Sequence, residues 1–153
     1  MYTIGNTDIL NNYKKAFLCS RCYPSSIVAK VYDWAIDQRE SNQCIISGFH
    51  SRIEKDVFHY LLKGKQPVIL ALARGLLKKI DDSLLKEIEK ERLVIVTPFN
   101  EKIIRVTSET ARKRNEFMVE MADEIIIGYA SEGGNITKLI KKYEREKTIK
   151  NIG

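Results

Sequence analysis

The 153-residue sequence predicts an α/β protein in which a mostly parallel, five-stranded sheet lies between two layers of helices. Short apolar runs rich in β-branched residues alternate with longer amphipathic stretches along the chain. The apolar runs are continuous rather than alternating, which is typical of strands that helices cover on both faces. Five such units joined by right-handed crossovers form a three-layer, Rossmann-like sandwich, for which we expect the strand order 3-2-1-4-5.

Five segments have the composition of buried strands, and we number them one to five along the chain. They are residues 16–19, 43–48, 67–72, 93–97 and 124–128. The first 15 residues have no pattern of this kind. Two interpretations fit them, a short helix that packs on the sheet and a frayed arm.

An amphipathic stretch follows each predicted strand. The four-residue spacing of Ile27, Val31 and Ala35 predicts that these side chains form the buried face of the first helix. Similar apolar spacing predicts the later helices, which are expected around residues 53–61, 82–88 and 108–122 and from Asn135 onwards.

Length and composition restrict the class of protein. The length predicts a single domain over residues 1–153. No apolar run approaches the ~20 residues of a bilayer-spanning helix, and the N-terminus lacks the basic start and apolar core of a signal peptide. Three cysteines, an odd number, indicate free thiols in a reducing cytoplasm rather than a disulfide framework. We therefore expect a cytoplasmic protein without membrane association.

The charge balance indicates the kind of ligand. Lys and Arg number 26 and Asp and Glu number 20, so the formal net charge is +6, which favours anionic partners. In open α/β sheets, ligands bind outside the carboxyl ends of the strands. The loops that follow the strands are therefore where we expect a binding site.

These loops contain arginines, which bind phosphate in a bidentate manner, and small residues, whose backbone N–H groups approach an anion closely. The last loop leads into a helix N-terminus, which adds its dipole. The candidate phosphate-binding residues in the loops are Ser20, Arg21, Gly48, Ser51, Arg52, Arg74, Gly75, Asn100, Gly133, Gly134 and Asn135. In the alternative interpretation the glycines serve turns and the arginines are solvated, but their concentration on one rim favours an anionic ligand.

The fourth predicted helix adds two candidates. Asn115 falls on the same stripe as Ala111 and Met118, and Arg114 lies at the border of that stripe. A polar residue on a buried stripe is costly unless it is hydrogen-bonded. Asn115 therefore either supports the loops around the pocket or bonds a nearby strand end, and both interpretations remain open.

Several kinds of chemistry are disfavoured. The sequence has no G-x-G-x-x-G fingerprint, no P-loop and no G-x-S-x-G elbow. Cys19-x-x-Cys22 has redox spacing, but Cys19 lies in a predicted strand and no second pair completes a zinc site. His50 and Ser51 are neighbours in one loop and are poorly placed to act as a catalytic pair. We therefore expect no catalytic residues, no metal and no cofactor.

Four segments resemble the Rossmann-like domain of the DNA-processing protein A (Smf) family. They are FLCSR, IISGFHSRIEKDVFHYLL, PVILALARGL and RVTSETARKRNEFMVEMADEIIIGYASEGGN. The likeness covers roughly residues 16–140 and is closest to short, stand-alone members. Ser20-Arg21, Ser47-Gly48 and Arg114-Asn115 match family patterns, whereas Arg52-Ile53-Glu54 departs from the Gly-Ile-Asp of the full-length members.

The resemblance implies that single-stranded DNA binds across a basic pocket without being chemically altered, often in a homodimer, and that a recombinase is loaded on the DNA. Carried over by position, Arg21 is the arginine that contacts a DNA phosphate. The remaining arginines on the rim are inferred from the fold and not from matching family positions.

The family shares a superfamily with the lonely-guy type nucleotide phosphoribohydrolases, which gives a second set of alternatives. Arg112-Lys113 and Gly133-Gly134-x-x-Thr137 fit that branch. However, Ile136 replaces a glycine of its pattern, and Ile140 replaces the glutamate that serves in cleaving the N-glycosidic bond. We rank a single-stranded DNA binder first, a nucleotide-binding sensor second and a nucleotide hydrolase third.

Overall fold

The computed structural model describes all of residues 1–153 and contains one seven-stranded sheet. The strands are β1 (Tyr2–Gly5), β2 (Lys14–Cys19), β3 (Cys44–Ser47), β4 (Val68–Ala71), β5 (Leu93–Thr97), β6 (Glu124–Tyr129) and β7 (Thr148–Asn151). Their order across the sheet is β1-β5-β4-β3-β2-β6-β7. β1 is antiparallel to β5, and every other neighbouring pair is parallel.

Five α-helices connect or follow these strands, together with two short 3-10 helices at Thr7–Asn11 and Ser25–Ile27. The α-helices are α1 (Val28–Glu40), α2 (Arg52–Leu62), α3 (Asp82–Glu89), α4 (Ser108–Met121) and α5 (Asn135–Tyr143). None of the helices is both long and apolar enough to cross a lipid bilayer.

The helices form one layer on each face of the sheet. Adjacent strand residues point to opposite faces, so Ile45 of β3 packs in the layer with α1 and α2, whereas Ile46 packs with α4 and α5. From β2 to β5 the chain moves across the sheet in one direction, and right-handed crossovers place α1, α2 and α3 on one face. The chain then returns to β6 and continues to β7 in the opposite direction, which places α4 and α5 on the other face.

The expected α/β Rossmann-like sandwich is therefore correct as a class, but the expected strand count and strand order are wrong. Predicted strands one to five correspond to β2 to β6, and their observed order is 4-3-2-1-5 rather than 3-2-1-4-5. The return crossover occurs after β5 instead of after β4. Local sequence patterns do not determine the place of this reversal, because it depends on which helices pack on which face.

The two strands missing from the prediction are at the edges of the sheet. The first 15 residues contain β1 and a 3-10 helix that buries Ile9 and is capped by the Asn6 side chain, so they form neither a frayed arm nor a helix alone. β7 follows α5 within the basic C-terminal stretch and is mostly exposed. Short, exposed edge strands lack the continuous apolar run that identified the inner ones.

The reversal of direction creates a switch point between β2 and β6. The chain leaves β2 toward α1 on one face and leaves β6 toward α5 on the other face. Loops that diverge in this way leave a crevice at the carboxyl ends of the two strands, which is where α/β sheets bind ligands.

Candidate anion-binding site

A cleft of about 330 Å³ opens at this switch point. The loops after β2, β3 and β6 and the first turns of α4 and α5 form its walls. The polar side chains that line the cleft belong to Ser20, Arg21, His50, Ser51, Glu54, Ser108, Arg112, Arg114, Asn115, Ser131 and Asn135. Throughout the text, "the cleft" refers to this cavity.

Hydrogen bonds join the β2 and β6 loops into one wall of the cleft. The Ser131 N–H donates to Ser20 Oγ at 2.9 Å, and the Ser20 N–H donates to the Tyr129 carbonyl at 2.8 Å. On the other side of the loop, Thr137 Oγ1 donates to the Ser131 carbonyl at 2.7 Å. These bonds fix the positions of both loops relative to α5.

The β6 loop delivers the N-terminus of α5 to the cleft. Gly133 has a φ of 69°, a left-handed conformation that favours glycine. Gly134 packs against Ser131 and is the N-cap residue of α5, so no side chain caps this helix. The first helical residues, Asn135 and Ile136, line the cleft. The first backbone N–H groups of a helix have no partner within it, and here they lie at the wall of the cleft.

Arg114 lies at the bottom of the cleft and is only 6% exposed. Its Nε donates to Asn115 Oδ1 at 2.9 Å, and its Nη1 donates to the Ala71 carbonyl at 3.3 Å. It pairs with no carboxylate, although a guanidinium has five N–H donors. Gly48 makes room for this side chain, because a Cβ at position 48 would overlap the Arg114 guanidinium.

Glu54 is a buried carboxylate beside the cleft, and it accepts hydrogen bonds from backbone N–H groups. It is 7% exposed, and its Oε1 accepts the N–H groups of His50 at 3.2 Å and Ser51 at 3.0 Å. In return, Ser51 Oγ accepts the Glu54 N–H at 3.4 Å, which completes a capping box at the start of α2. Glu54 thereby fixes the β3 loop in place.

The electrostatic environment of the cleft is cationic. Burial, followed by the charges of Arg114 and Arg21, lowers the pKa of His50 below its usual 6.5. Burial also lowers the pKa of Arg114, and Glu54 opposes this shift. Arg21 is exposed, and Arg112 forms an ion pair with Glu116 at 3.1 Å. The cleft is therefore suited to an anion.

The thiol beside the cleft stays protonated. Burial, with a contribution from Glu54, raises the pKa of Cys19 to about 12. A thiol with this pKa is a poor nucleophile and a poor metal ligand near neutral pH. No group of three His, Cys, Asp or Glu side chains is arranged to hold a metal ion.

The structure brings together nine of the thirteen candidate residues from the sequence. Those that line the cleft are Ser20, Arg21, Ser51, Arg114, Asn115 and Asn135, while Gly48, Gly133 and Gly134 shape its walls. The burial of the α4 pair differs from expectation, because Arg114 is buried and Asn115 is only half-buried. The Asn115 side chain accepts the Arg114 Nε hydrogen bond, and it bonds neither a loop nor a strand end.

The other four candidates lie outside the cleft, so the structure does not bring all thirteen together in one cavity. Arg52 is exposed on the first turn of α2 and does not line the cleft. Arg74 and Asn100 line a separate groove, and Gly75 packs against the Asn100 backbone there. The strand order explains the separation of Asn100, since β5 lies three positions from β2 rather than beside it. It does not explain that of Arg74, because β4 lies two positions from β2 in both the expected and the observed order.

Five polar lining residues were not among the candidates from the sequence, namely His50, Glu54, Ser108, Arg112 and Ser131. A signal existed for Glu54. Ser51 and Glu54 have the S-x-x-E spacing of a capping box, which predicts a buried role for the glutamate. Ser108 and Arg112 are four residues apart on α4, on one face of that helix, but the strand order was needed to show that this face meets the cleft.

The fold and the cleft together define an α/β Rossmann-like protein with a cationic cleft at the carboxyl ends of its parallel strands. A family model for DNA recombination-mediator protein A matches residues 1–149, and the chain belongs to this family. The resemblance seen in the sequence is thereby confirmed. No curated relative matches the sequence.

Three solved structures are similar in fold. DNA processing protein A from Streptococcus pneumoniae has a TM-score of 0.77 at 16% identity, over 97% of this chain and 53% of that chain. The Helicobacter pylori protein, described with a unique single-stranded DNA binding mode, has a TM-score of 0.73 at 15% identity, over 97% and 70%. The molybdenum cofactor binding protein from Rippkaea orientalis has a TM-score of 0.60 at 9% identity, over 92% and 76%. The chain therefore spans only part of each relative.

Proposed function

We propose that this protein binds single-stranded DNA by holding its phosphates in the cleft, without altering the DNA chemically. The observation that carries the proposal is the buried Arg114 guanidinium, which pairs with no carboxylate and lies at the bottom of a cationic cleft. Membership of the DNA recombination-mediator protein A family supports DNA as the source of the phosphates. The H. pylori relative is described as binding single-stranded DNA, which supports the same proposal.

The energetics of Arg114 favour an anionic ligand. A buried charge is costly unless it is paired and hydrogen-bonded. The two hydrogen bonds of Arg114 leave other N–H donors of the guanidinium without a partner in the chain. A phosphate in the cleft would accept from these donors and offset the cost of burying the charge.

Other groups at the cleft would bind the same phosphate or its neighbour. Arg21 is exposed and forms no ion pair, so its guanidinium is free to contact the backbone of a DNA strand. The N-terminus of α5 supplies backbone N–H groups and the positive end of the helix dipole. Asn135 adds a side-chain amide at the same wall.

The size of the cleft favours a mononucleotide as the second candidate ligand. About 330 Å³ is at the small end of the range for small-molecule pockets and accommodates a single nucleotide unit. A nucleotide sensor would bind such a unit as its complete ligand, whereas a DNA binder would hold one unit of a longer strand. In either case Ile136 lines the cleft where the hydrolase pattern has a glycine, which supports a binding role without hydrolysis.

An anisotropy titration tests the proposal. A labelled oligo-dT of ~20 nucleotides is titrated at two salt concentrations and competed with AMP and ATP. We expect affinity to fall steeply with salt, because each phosphate contact releases a counterion, and we expect mononucleotides to compete weakly. Complete competition by AMP or ATP would instead identify a nucleotide sensor, and turnover of either would identify an enzyme.

A point substitution assigns the binding to the cleft. Arg21→Ala is expected to weaken oligo-dT binding by about 1–3 kcal/mol, the usual contribution of a hydrogen bond to a charged group, without unfolding the protein. Arg145→Ala is the matched control, since it removes the same charge from an exposed position beyond the far end of α5. Equal affinities of the two folded variants would exclude Arg21 from the site.

The homodimer, the recombinase partner and the cytoplasmic location stay predictions.

A further inference from the structure

A second cavity lies on the same edge of the sheet as the cleft. It is a groove of about 900 Å³ between the loops that follow β4 and β5, and the start of β1 forms its outer side. Arg74 and Asn100, which the sequence placed in the binding site, line this groove rather than the cleft. We call it the edge groove.

We propose that the edge groove is a second contact region for single-stranded nucleic acid, so that a strand seated in the cleft continues along the carboxyl edge of the sheet into the groove. This inference rests on the proposed function, because it extends the same strand beyond the cleft. It predicts that the binding site is several nucleotides long.

The walls of the edge groove are held in a fixed shape. The Gly75 N–H donates to the Ile103 carbonyl at 2.7 Å, which ties the β4 loop to the β5 loop. A Cβ at position 75 would overlap the Asn100 carbonyl, so glycine is needed for this close approach. Asn100 Oδ1 accepts the Lys102 N–H at 2.9 Å and closes the turn. Gly75 and Asn100 therefore build the groove rather than bind a ligand.

The charges at the groove are complementary to a phosphate backbone. Arg74, Lys78 and Lys102 line it against the single acid Glu101. None of the three cations forms an ion pair. The only hydrogen bond of the Arg74 guanidinium runs from Nε to the Gly75 carbonyl at 3.4 Å. These side chains are free to follow the phosphates of a strand.

The apolar surface of the groove is suited to unpaired bases. Tyr2 is 47% exposed, and Phe99 is half-buried beside it in the lining. Ile104 is 59% exposed and extends the apolar surface at the rim. Proteins that bind single strands without sequence preference combine aromatic side chains for base stacking with cations along the backbone. The edge groove has both components, whereas the lining of the cleft contains no Phe, Tyr or Trp.

The spacing of the strands makes a continuous path reasonable. β2, which ends at the cleft, and β5, which ends at the groove, are three positions apart in the sheet. At ~4.8 Å per strand, their ends are separated by about 14 Å, a distance that a few nucleotides bridge. All of the loops involved leave the same edge of the sheet, so the strand would not need to cross a helix layer.

Oligonucleotide length separates the two contact regions experimentally. Anisotropy is measured with a short oligo-dT of about two nucleotides, which is too short to extend from the cleft to the groove, and a long one of about twelve, which reaches the groove. Tyr2→Ala is expected to weaken binding of the long oligonucleotide about fivefold or more, which is the effect of losing one stacked base. Its affinity for the short oligonucleotide is expected to equal that of the wild type, which also shows that the variant is folded.

A charge variant tests the path of the backbone. Arg74→Gln combined with Lys102→Gln is expected to reduce the salt slope of long-oligonucleotide binding by about 0.7 per cation and to leave the short oligonucleotide unaffected. The matched control is Lys65→Gln with Lys90→Gln, which removes two exposed lysines before the amino ends of β4 and β5. We expect the control to retain the wild-type slope.

The outcomes distinguish this inference from the proposed function. If neither oligonucleotide binds the wild-type protein, the proposed function is wrong and the inference falls with it. If both bind and the groove variants match the wild type at both lengths, the cleft binds DNA and the edge groove does not. Loss that is confined to the long oligonucleotide supports the inference.

Discussion

Two buried arginines lie at opposite edges of the sheet and differ in how their guanidinium groups are paired. Arg92 precedes β5 at the amino edge and is 7% exposed, and Arg114 at the carboxyl edge is 6% exposed. Arg92 bonds to the carbonyls of residues 61, 62 and 66 and forms an ion pair with Glu87 at 3.1 Å. Arg114 bonds to one carbonyl and one amide oxygen and has no ion pair.

The difference distinguishes a structural role for Arg92 from the binding role that we propose for Arg114. Arg92 satisfies the last carbonyls of α2, which have no partner within the helix, and it is itself satisfied by the chain. Arg114 has a similar burial but keeps donors without a partner beside a cleft. The Arg114 donors that bond to no atom of the chain are open to the cleft, where an anion would accept from them and would also fit the cationic surroundings.

The largest effect is expected from Arg92→Met. This substitution removes the Arg92 ion pair of the half-buried Glu87, which keeps only its contact with Lys90 at 3.5 Å, and it removes the donors to three carbonyls, so the free energy of unfolding should fall by about 3–5 kcal/mol. Urea denaturation followed by circular dichroism measures the change. Any fraction that remains folded should bind oligo-dT as the wild type does. A variant of wild-type stability would contradict the structural role of Arg92.

Arg114→Met is expected to have the opposite profile. The methionine replaces a charge that the chain pairs only in part with an apolar side chain. The free energy of unfolding should therefore either rise or fall by no more than about 1 kcal/mol. Oligo-dT binding should weaken by about 1.5–3 kcal/mol, because charge-assisted hydrogen bonds to a phosphate are lost. Anisotropy and urea denaturation on the same preparation separate the two quantities. Strong destabilisation with unchanged affinity would make Arg114 a second structural arginine.

Gly48→Ala tests the binding role of Arg114 by filling part of the space that its side chain occupies. The added Cβ would overlap the end of the Arg114 side chain, which must move away from the cleft. We expect binding to weaken by about 1 kcal/mol, less than the complete removal of the guanidinium. In the Arg114→Met background the same change should cause no further loss of affinity, which a double-mutant cycle measures. Additive losses would show that Gly48 acts independently of Arg114.

The sequence predicted those parts of the fold that local patterns encode. The predicted segment 93–97 coincides with β5, and Ile27, Val31 and Ala35 are buried as their spacing predicts. The strand order was not predictable in this way, because the reversal after β5 depends on the packing of α4 against the far face. The edge strands β1 and β7 escaped prediction because their side chains are mostly exposed and lack a continuous apolar run.

Which of the candidate residues share a cavity depends largely on the strand order. Arg21 and Asn135 line the same cleft because β2 and β6 are adjacent in the sheet, whereas the expected order has another strand between them. Asn100 lies outside the cleft because β5 is three positions from β2 and not beside it as the expected order has it. Arg114 was predicted only as a border residue, since sequence spacing does not reveal the space that Gly48 leaves for it.

The smallest effect is expected from the pH dependence of binding through His50. Burial and the charges of Arg114 and Arg21 hold its pKa below 6.5, so the imidazole is neutral in the free protein at neutral pH. A phosphate in the cleft offsets these positive charges and raises the pKa, so the complex binds a proton more readily than the free protein. Affinity for oligo-dT should therefore increase as the pH falls from about 7.5 to about 5.5, by at most about fivefold for a partly exposed ion pair.

His50→Gln is expected to remove this pH dependence while leaving the affinity at pH about 7.5 unchanged, because the replaced side chain is neutral there. The oligonucleotide should carry no terminal phosphate, so that no ligand group titrates in the same range. In the free protein the lowered pKa has the opposite consequence, since the unfolded chain binds the proton more readily and stability falls as the pH drops below 6.5. An affinity that decreases on acidification, in step with this loss of stability, would show that His50 does not face the bound phosphate.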